Sequence, residues 1–257
     1  MEALLEKFRP SVVGTGIKDL DEMLGGGLIR GGIILFVYDA SSFGWTVGVQ
    51  IFRRIIEDGN GFGIVTSYSF PPSLLEKYAL SMNYDVLEHA SHGELVIIDV
   101  LGSLYDARVD LPFVYYPGKL DPETFLAKLE ATYRKIFSER LGGRTPIEIS
   151  VTMDALPSLF GEEAAIKILR RSLVNKELTL VKEEGWRPTN IFLINRERAS
   201  RYFLEWLSQY AEHIIEFRPS ETPGVERMIV KKSLLPDFVP RTAEFRFKKG
   251  EIEIFPE

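Results

Sequence analysis

The 257-residue sequence predicts an α/β fold, a mainly parallel central sheet flanked by helices with antiparallel hairpins at its C-terminal end. Three observations carry that expectation. Apolar runs of strand length alternate with segments of helical spacing through most of the chain, as buried strands and their crossover helices do. After residue 210 the pattern changes to short polar-alternating segments separated by Gly- and Pro-containing turns, which is how hairpins with one solvated face read. No internal repeat, low-complexity segment or linker interrupts the chain. A single domain over 1–257 is therefore expected, and 45% hydrophobic residues suffice for one substantial core.

The elements follow in order. "GIILFVY" (32–38) and "GFGIVTSY" (61–68) read as buried strands. Between them Val47, Val49, Ile51, Phe52 and Ile55 give 46–56 a helical spacing, completing one βαβ unit. "SLLEKYALSM" (73–82) predicts a helix that starts after Pro71 and Pro72, and "GELVIIDVL" (93–101) a third strand. Residues 102–120 read as a loop whose aromatics, from Tyr105 to Tyr116, have no period; such a loop either has a role or wraps a neighbour. "DPETFLAKLEATYRKIF" (121–137) opens with an Asp cap, Pro at the first helical position and an acidic first turn. "PIEISVTMDAL" (146–156) predicts a strand, "GEEAAIKILRRSLVNKEL" (161–178) a helix and "TNIFLIN" (189–195) another buried strand. In "RYFLEWLSQY" (201–210), Phe203, Leu204, Trp206, Leu207 and Tyr210 form the buried stripe of a helix in preference to a partner surface. "HIIEFRP", "ERMIVKKS", "AEFRFKKG" and "EIEIFP" make up the hairpins of 211–257.

Composition narrows the function classes. The chain has no cysteine, which excludes disulfides and thiolate metal sites. His89 and His92 stand three apart without a third ligand, so no metal site is expected. "MEALLEKFRP" lacks the layout of a signal peptide, and no apolar run approaches the roughly 18 residues of a membrane span, so a cytoplasmic protein is expected. A formal charge of −6 offers no general attraction to nucleic acid. The cations of the tail, Arg227, Lys231, Lys232, Arg241, Arg246, Lys248 and Lys249, read as solvated strand faces, not as a DNA groove.

Upstream of the first strand, "GTGIKDLDEMLGGGLIRGG" (14–32) carries Thr15, Gly16, Ile17, Leu20, Asp21, Leu24, Gly25, Gly26, Gly27 and Gly31 at fixed offsets. It closely resembles the signature T-G-[IV]-x-x-L-D-x-[LM]-L-G-G-G-[IL]-x-x-G of the KaiC-like branch of the RecA superfamily of P-loop ATPases. Further segments line up in the order that the resemblance implies. "VTSYSFPPSLLEKYALSMNYDV" looks like V-S-x-E-E-S-P-x-x-L and the turn that follows it, "VTMDAL" like the strand with a metal-orienting Asp, here Asp154, and "ERMIVKKS" like the late strand with a K-x-R pair. "FKKGEIEIFP" matches the closing hairpin, so the likeness spans roughly 14–255. A RecA-like fold is implied, with the signature at 14–32, an α/β core over 33–200 and the hairpins beyond 211.

The ATPase chemistry does not carry over. In "YDASSFGWTVG" (38–48), aligned with G-x-x-x-x-G-K-[ST], Gly44 and Thr46 remain, while Asp39 replaces the first Gly and Trp45 the Lys. The cation that would neutralise phosphate is gone. A carboxylate about 4 Å from a phosphate oxygen, at an effective dielectric near 20, adds a repulsion on the order of 4 kcal/mol per charge pair. Ser69 and Phe70 stand where the resemblance implies two water-activating glutamates, and neither is a base at neutral pH. Lys231 keeps the Lys of the trans-acting pair, but Ser233 takes the Arg position. Asp154 remains, as an acid that orients a metal or one that caps a neighbouring turn.

The sequence thus predicts a pseudo-ATPase, a binding or regulatory module with a protein or peptide partner or a catalytically active relative, and no catalytic residue, metal or cofactor. ATP with Mg belongs to an alternative in which Trp45 stacks on the base and a partner supplies the cation. A nucleic-acid accessory role, as for recombinase paralogues, is a second alternative, disfavoured by the acidic charge. Without an interfacial nucleotide, a monomer or dimer is expected in preference to a hexamer.

Overall fold

A computed structural model describes residues 9–182 and 187–257; the first eight residues of the opening segment read above lie outside this range. The chain begins with a small ribbon, β1 (Val12–Val13) paired antiparallel with β2 (Leu28–Ile29), enclosing helix α1 (Lys18–Leu24). Asp21 ties the ribbon to the helix by accepting the Thr15 N–H at 2.8 Å, and Leu20, Met23 and Leu24 bury the helix's inner face. Gly25 ends it in the left-handed region at φ 86°, where a Cβ would also lie 2.9 Å from the Phe238 backbone nitrogen. Gly27, at φ 129°, is pressed just as closely on the Val13 carbonyl. The 14–32 signature is therefore a folding motif: its Asp and glycines fix one tight ribbon against the C-terminal hairpins.

Ten strands form the main sheet, in the order β12-β11-β10-β9-β3-β8-β7-β4-β5-β6. From β9 (His213–Pro219) through β3 (Ile33–Tyr38), β8 (Thr189–Asn195), β7 (Thr145–Val151), β4 (Gly61–Ser67) and β5 (Leu95–Asp99) to β6 (Val114–Tyr115) every pairing is parallel. β10 (Glu226–Ser233), β11 (Arg241–Lys248) and β12 (Glu251–Pro256) continue from β9 antiparallel. Helices α2 (Trp45–Glu57), α3 (Pro72–Leu80) and α4 (Val86–Ser91) cover one face, where Phe36, Ile51, Phe52, Ile149 and Leu193 join a core that runs on to Met228 and Phe245. On the other face, α5 (Val100–Tyr105) follows β5, and α6 (Phe125–Arg140), α7 (Leu156–Phe160), α8 (Glu162–Lys182) and α9 (Arg201–Tyr210) bury Leu35, Phe62, Ile98, Ile194 and Phe203. Strand alternation sends neighbours such as Leu35 and Phe36 into opposite cores.

Local chemistry moves several boundaries from the sequence expectation. The strand expected over 93–101 stops at Asp99, whose Oδ1 accepts the Gly102 N–H at 2.7 Å and caps α5, so Val100 and Leu101 are helical. The expected loop 102–120 consequently holds the end of α5 and the edge strand β6; Phe113 and Tyr115 are buried and Tyr105 is 71% exposed. The strand expected over 146–156 ends at Val151, because Thr152 turns into the left-handed region (φ 57°, ψ 44°) and starts the 3-10 turn Met153–Ala155. The helix expected from 121 is assigned from Phe125, although Asp121 does cap the turn before it, accepting the Thr124 N–H at 2.8 Å. β9 is not purely a hairpin strand, since it pairs parallel with β3 on one side. On α9 the buried stripe narrows to Phe203 and Leu207, with Leu204 and Trp206 half-buried and Tyr210 exposed. Among the described residues no helix is long and apolar enough to cross a membrane.

Candidate functional site

β3 lies between β8 and β9, and its connection to β4 passes over β8 and β7. Such a reversal of strand order leaves a crevice at the carboxyl ends of the strands, where ligands of open α/β sheets bind. The 39–44 loop crosses this crevice from the end of β3 into α2, with Gly44 at the helix N-cap. Gly44 is demanded by packing: a Cβ there would lie 2.3 Å from the Phe217 ring. Thr46 is fully buried and its hydroxyl donates to the Phe43 carbonyl at 2.6 Å, so it faces the loop's own backbone.

The loop's N–H groups meet carboxylates of the chain itself. Phe43 N–H donates to Glu226 Oε1 at 2.7 Å, the Ser42 hydroxyl donates to Glu226 Oε2, and Ser42 Oγ in turn accepts the Gly44 N–H at 2.9 Å. Ala40 N–H donates to Glu197 Oε2 at 3.0 Å. Donors at a helix N-terminus and the loop before it are where a phosphate would be held. Here Glu226, from β10, and Glu197, from beyond β8, occupy them.

Asp39 is not the uncompensated repulsion that its sequence position implied. Arg196 Nε lies 2.5 Å from its Oδ1, and the same guanidinium donates to the Val37 carbonyl at 3.2 Å and to the Phe217 carbonyl. Glu216 stands 3.7 Å from Arg196 Nη1 and is also paired with Lys231 and Arg218. Burial alone would raise the Glu216 carboxyl, but these three cations outweigh it and hold it below its ordinary value. The loop therefore leans on an internal ion network whose key cation comes 157 residues after Asp39.

Between the loop, α2, α3 and the strand ends lies a cavity of about 350 Å³. Its wall is aromatic. Trp45, at the first position of α2, meets Tyr78 edge-on at 5.4 Å, and Phe70 stacks on Tyr78 at 5.1 Å. Trp45 and Phe70 thus meet in a single cluster around Tyr78. Ser69 points elsewhere: its N–H donates to Thr152 Oγ1 at 3.1 Å, and its buried hydroxyl has no partner among the described residues.

Asp154 lines the same cavity and is 1% exposed. Its Oδ1 accepts the Asn195 N–H at 3.1 Å and its Oδ2 lies 3.1 Å from Arg198 Nε. Burial raises this carboxyl above its ordinary value, against the Asn195 hydrogen bond and the Arg198 charge. Lys231 and Ser233 lie apart from it. Lys231 pairs with Glu216 at 2.9 Å, while buried Ser233 donates to the Leu24 carbonyl at 2.7 Å, near the end of α1. A bulge at Lys231 breaks the alternation between Val230 and Lys232, and Lys232 caps α9 through the Ser208 and Gln209 carbonyls at 3.0 and 3.2 Å. Of the paired histidines, His89 contacts Glu94 and lies against Tyr84.

Sequence reasoning missed Arg196, Glu197, Arg198 and Glu226. Three of them form "RER" directly after the predicted strand 189–195, so a charged run at a strand's carboxyl end was the available signal. Nothing local marked Glu226.

No protein-family model matches the chain, and no curated protein matches it. Solved structures do. An uncharacterized protein from Pyrococcus horikoshii, crystallised in complex with an unknown peptide, superposes with a TM-score of 0.81 at 22% identity, over 95% of this chain and 99% of its own. A KaiC-like protein from the hyperthermophilic archaeon Pyrococcus horikoshii OT3 superposes with a TM-score of 0.70 at 17% identity, over 96% and 100%. The chain has a KaiC-like, RecA-type fold.

Proposed function

We propose that this chain is a non-catalytic binding module on a KaiC-like scaffold, a pseudo-ATPase whose nucleotide crevice has become a site for a protein or peptide partner. One observation carries the reading: the loop donors that would cradle phosphate are bonded to Glu226 and Glu197, while Trp45, Phe70 and Tyr78 wall the adjoining cavity. Phosphate binding at such a loop needs free N–H groups and a cation, and catalysis needs an acceptor poised for water. Asp39, Gly44, Trp45 and Thr46 are in this reading the vestiges of a phosphate loop. Ser69 and Phe70 replace a catalytic pair, Asp154 is held by Arg198 and Asn195, Lys231 pairs with Glu216, and Ser233 bonds the Leu24 carbonyl. No cofactor is required.

A peptide is the favoured partner because aromatic cavities with a few placed polar groups accept apolar side chains, and because the structurally similar Pyrococcus protein was crystallised with one. A monomer or dimer in the cytoplasm fits a protomer without an interfacial nucleotide. Calorimetric titration with Mg-ATP and Mg-GTP to several millimolar should give no saturable heat, and a random-peptide display should enrich sequences whose binding is lost on Trp45→Ala. Saturable nucleotide heat together with phosphate release would overturn the proposal.

A further inference from the structure

The cavity beside the 39–44 loop encloses about 350 Å³, near the small end of ligand-site volumes, which suits one large side chain better than a length of backbone. A peptide partner therefore engages it through a single buried anchor, the kind of residue that carries most of an interface's binding energy. Two features of the cavity define the chemistry of that anchor.

The first is the aromatic wall. Phe70 stacks on Tyr78 and Trp45 meets it edge-on, and Tyr78 is still 42% exposed, so the cluster has ring surface left to offer. Stacked and edge-to-face contacts with such a cluster favour another ring over an aliphatic chain. The second feature is polar. Tyr84 lines the same cavity and is 1% exposed, yet its buried hydroxyl has no hydrogen-bond partner among the described residues. Buried tyrosine hydroxyls usually have one. Burial raises the Tyr84 pKa, and the charges of Glu57, Glu94 and Glu76 act in the same sense against that of Arg53, so the group stays a protonated phenol and a donor. Phenylalanine would fill the position and leave no donor unpaired.

We infer that the cavity takes a tyrosine side chain of the partner peptide, its ring against Trp45, Phe70 and Tyr78 and its phenol oxygen accepting from the Tyr84 hydroxyl. This rests on the crevice being a peptide site and names the residue that enters it.

Titrating the full chain with p-cresol and with toluene, followed by the shift of the Trp45 indole N–H in NMR spectra, tests this, because the two probes differ only in the hydroxyl. The p-cresol should bind about fivefold or more tightly than toluene. In a cavity with no partner for the hydroxyl the order reverses, since the hydroxyl leaves water unpaired. Tyr84→Phe should produce that reversal while leaving toluene unchanged, which also shows that the variant is folded. Val49→Trp, at the cavity wall, should weaken both probes at least tenfold. Toluene that binds as tightly as p-cresol, p-cresol that binds Tyr84→Phe as well as the parent chain, or neither probe moving the Trp45 signal overturns the inference. Should Tyr84→Phe fail to fold, the order of the two probes on the parent chain decides alone. Any of these failures without saturable Mg-ATP heat removes the tyrosine and leaves the peptide site, whereas nucleotide heat with phosphate release removes both.

Discussion

At the scale of single residues, Asp39 and Trp45 are less isolated than their positions in the sequence imply. Asp39 has a fixed counter-ion in Arg196, and Trp45 belongs to an aromatic wall with Tyr78 and Phe70. Placing Gly at 39 and Lys at 45 is therefore insufficient to make the loop hold phosphate. In Asp39→Gly with Trp45→Lys, Glu226 still accepts the Phe43 N–H and the Ser42 hydroxyl, and a phosphate must displace both. Hydrogen bonds to charged groups are worth about 1.5–3 kcal/mol each. The double variant should consequently bind Mg-ATP at least tenfold more weakly than the triple variant that adds Glu226→Ala, measured by calorimetry. Equal affinities would show that Glu226 does not close the loop.

At the scale of elements, the strands were legible because parallel strands buried on both faces are continuous apolar runs: "TNIFLIN" is β8 to the residue. The RecA-type scaffold was legible for another reason, since the 14–32 motif is contiguous in sequence and Asp21 and Gly27 act within its own ribbon. Strand ends were less so. Asp99 and Thr152 end β5 and β7 through a cap and a left-handed turn, which apolar periodicity does not register. The closure of the candidate site was invisible for a topological reason, because Glu226 reaches Phe43 across 183 residues and Arg196 reaches Asp39 across 157. His213 is a similar long link. Its buried Nε2 accepts the Ile29 N–H at 2.9 Å and joins β9 to the ribbon. Burial, helped by Lys232, lowers its pKa from 6.5 to about 4. The sign follows: between those values the unfolded chain takes up a proton that the native state excludes, so stability is full above the unfolded value and falls as pH drops toward 4. Between pH 7 and 4.5 the parent chain should lose roughly 2 kcal/mol more unfolding free energy than His213→Asn, by urea titration. Parallel pH curves for the two would remove His213 from the acid response.

At the scale of the whole molecule, one of the two cores runs through the ribbon, the α/β layer and the hairpins. Leu20 and Leu24 of α1, Phe36 of β3, Ile51 of α2 and Phe245 of β11 belong to a single buried cluster. The antiparallel hairpins are thus no appendage. They supply Met228, Val230 and Phe245 to that cluster, and Glu226 and the Phe247 ring to the loop that opens the crevice, the latter stacked on Phe43 at 5.0 Å. Interiors packed in this way transmit the loss of one layer to its neighbours. Chains whose segments share a core and a sheet unfold in a single cooperative step more often than chains with separable parts. The 1–257 chain should accordingly show one urea transition, coincident by far-UV circular dichroism and tryptophan fluorescence, and deletion of 221–257 should abolish it. A shortened chain that keeps a cooperative transition would show that the α/β layer folds alone. The hairpins would then be a separable cover, and the 39–44 loop would be free to open by their undocking.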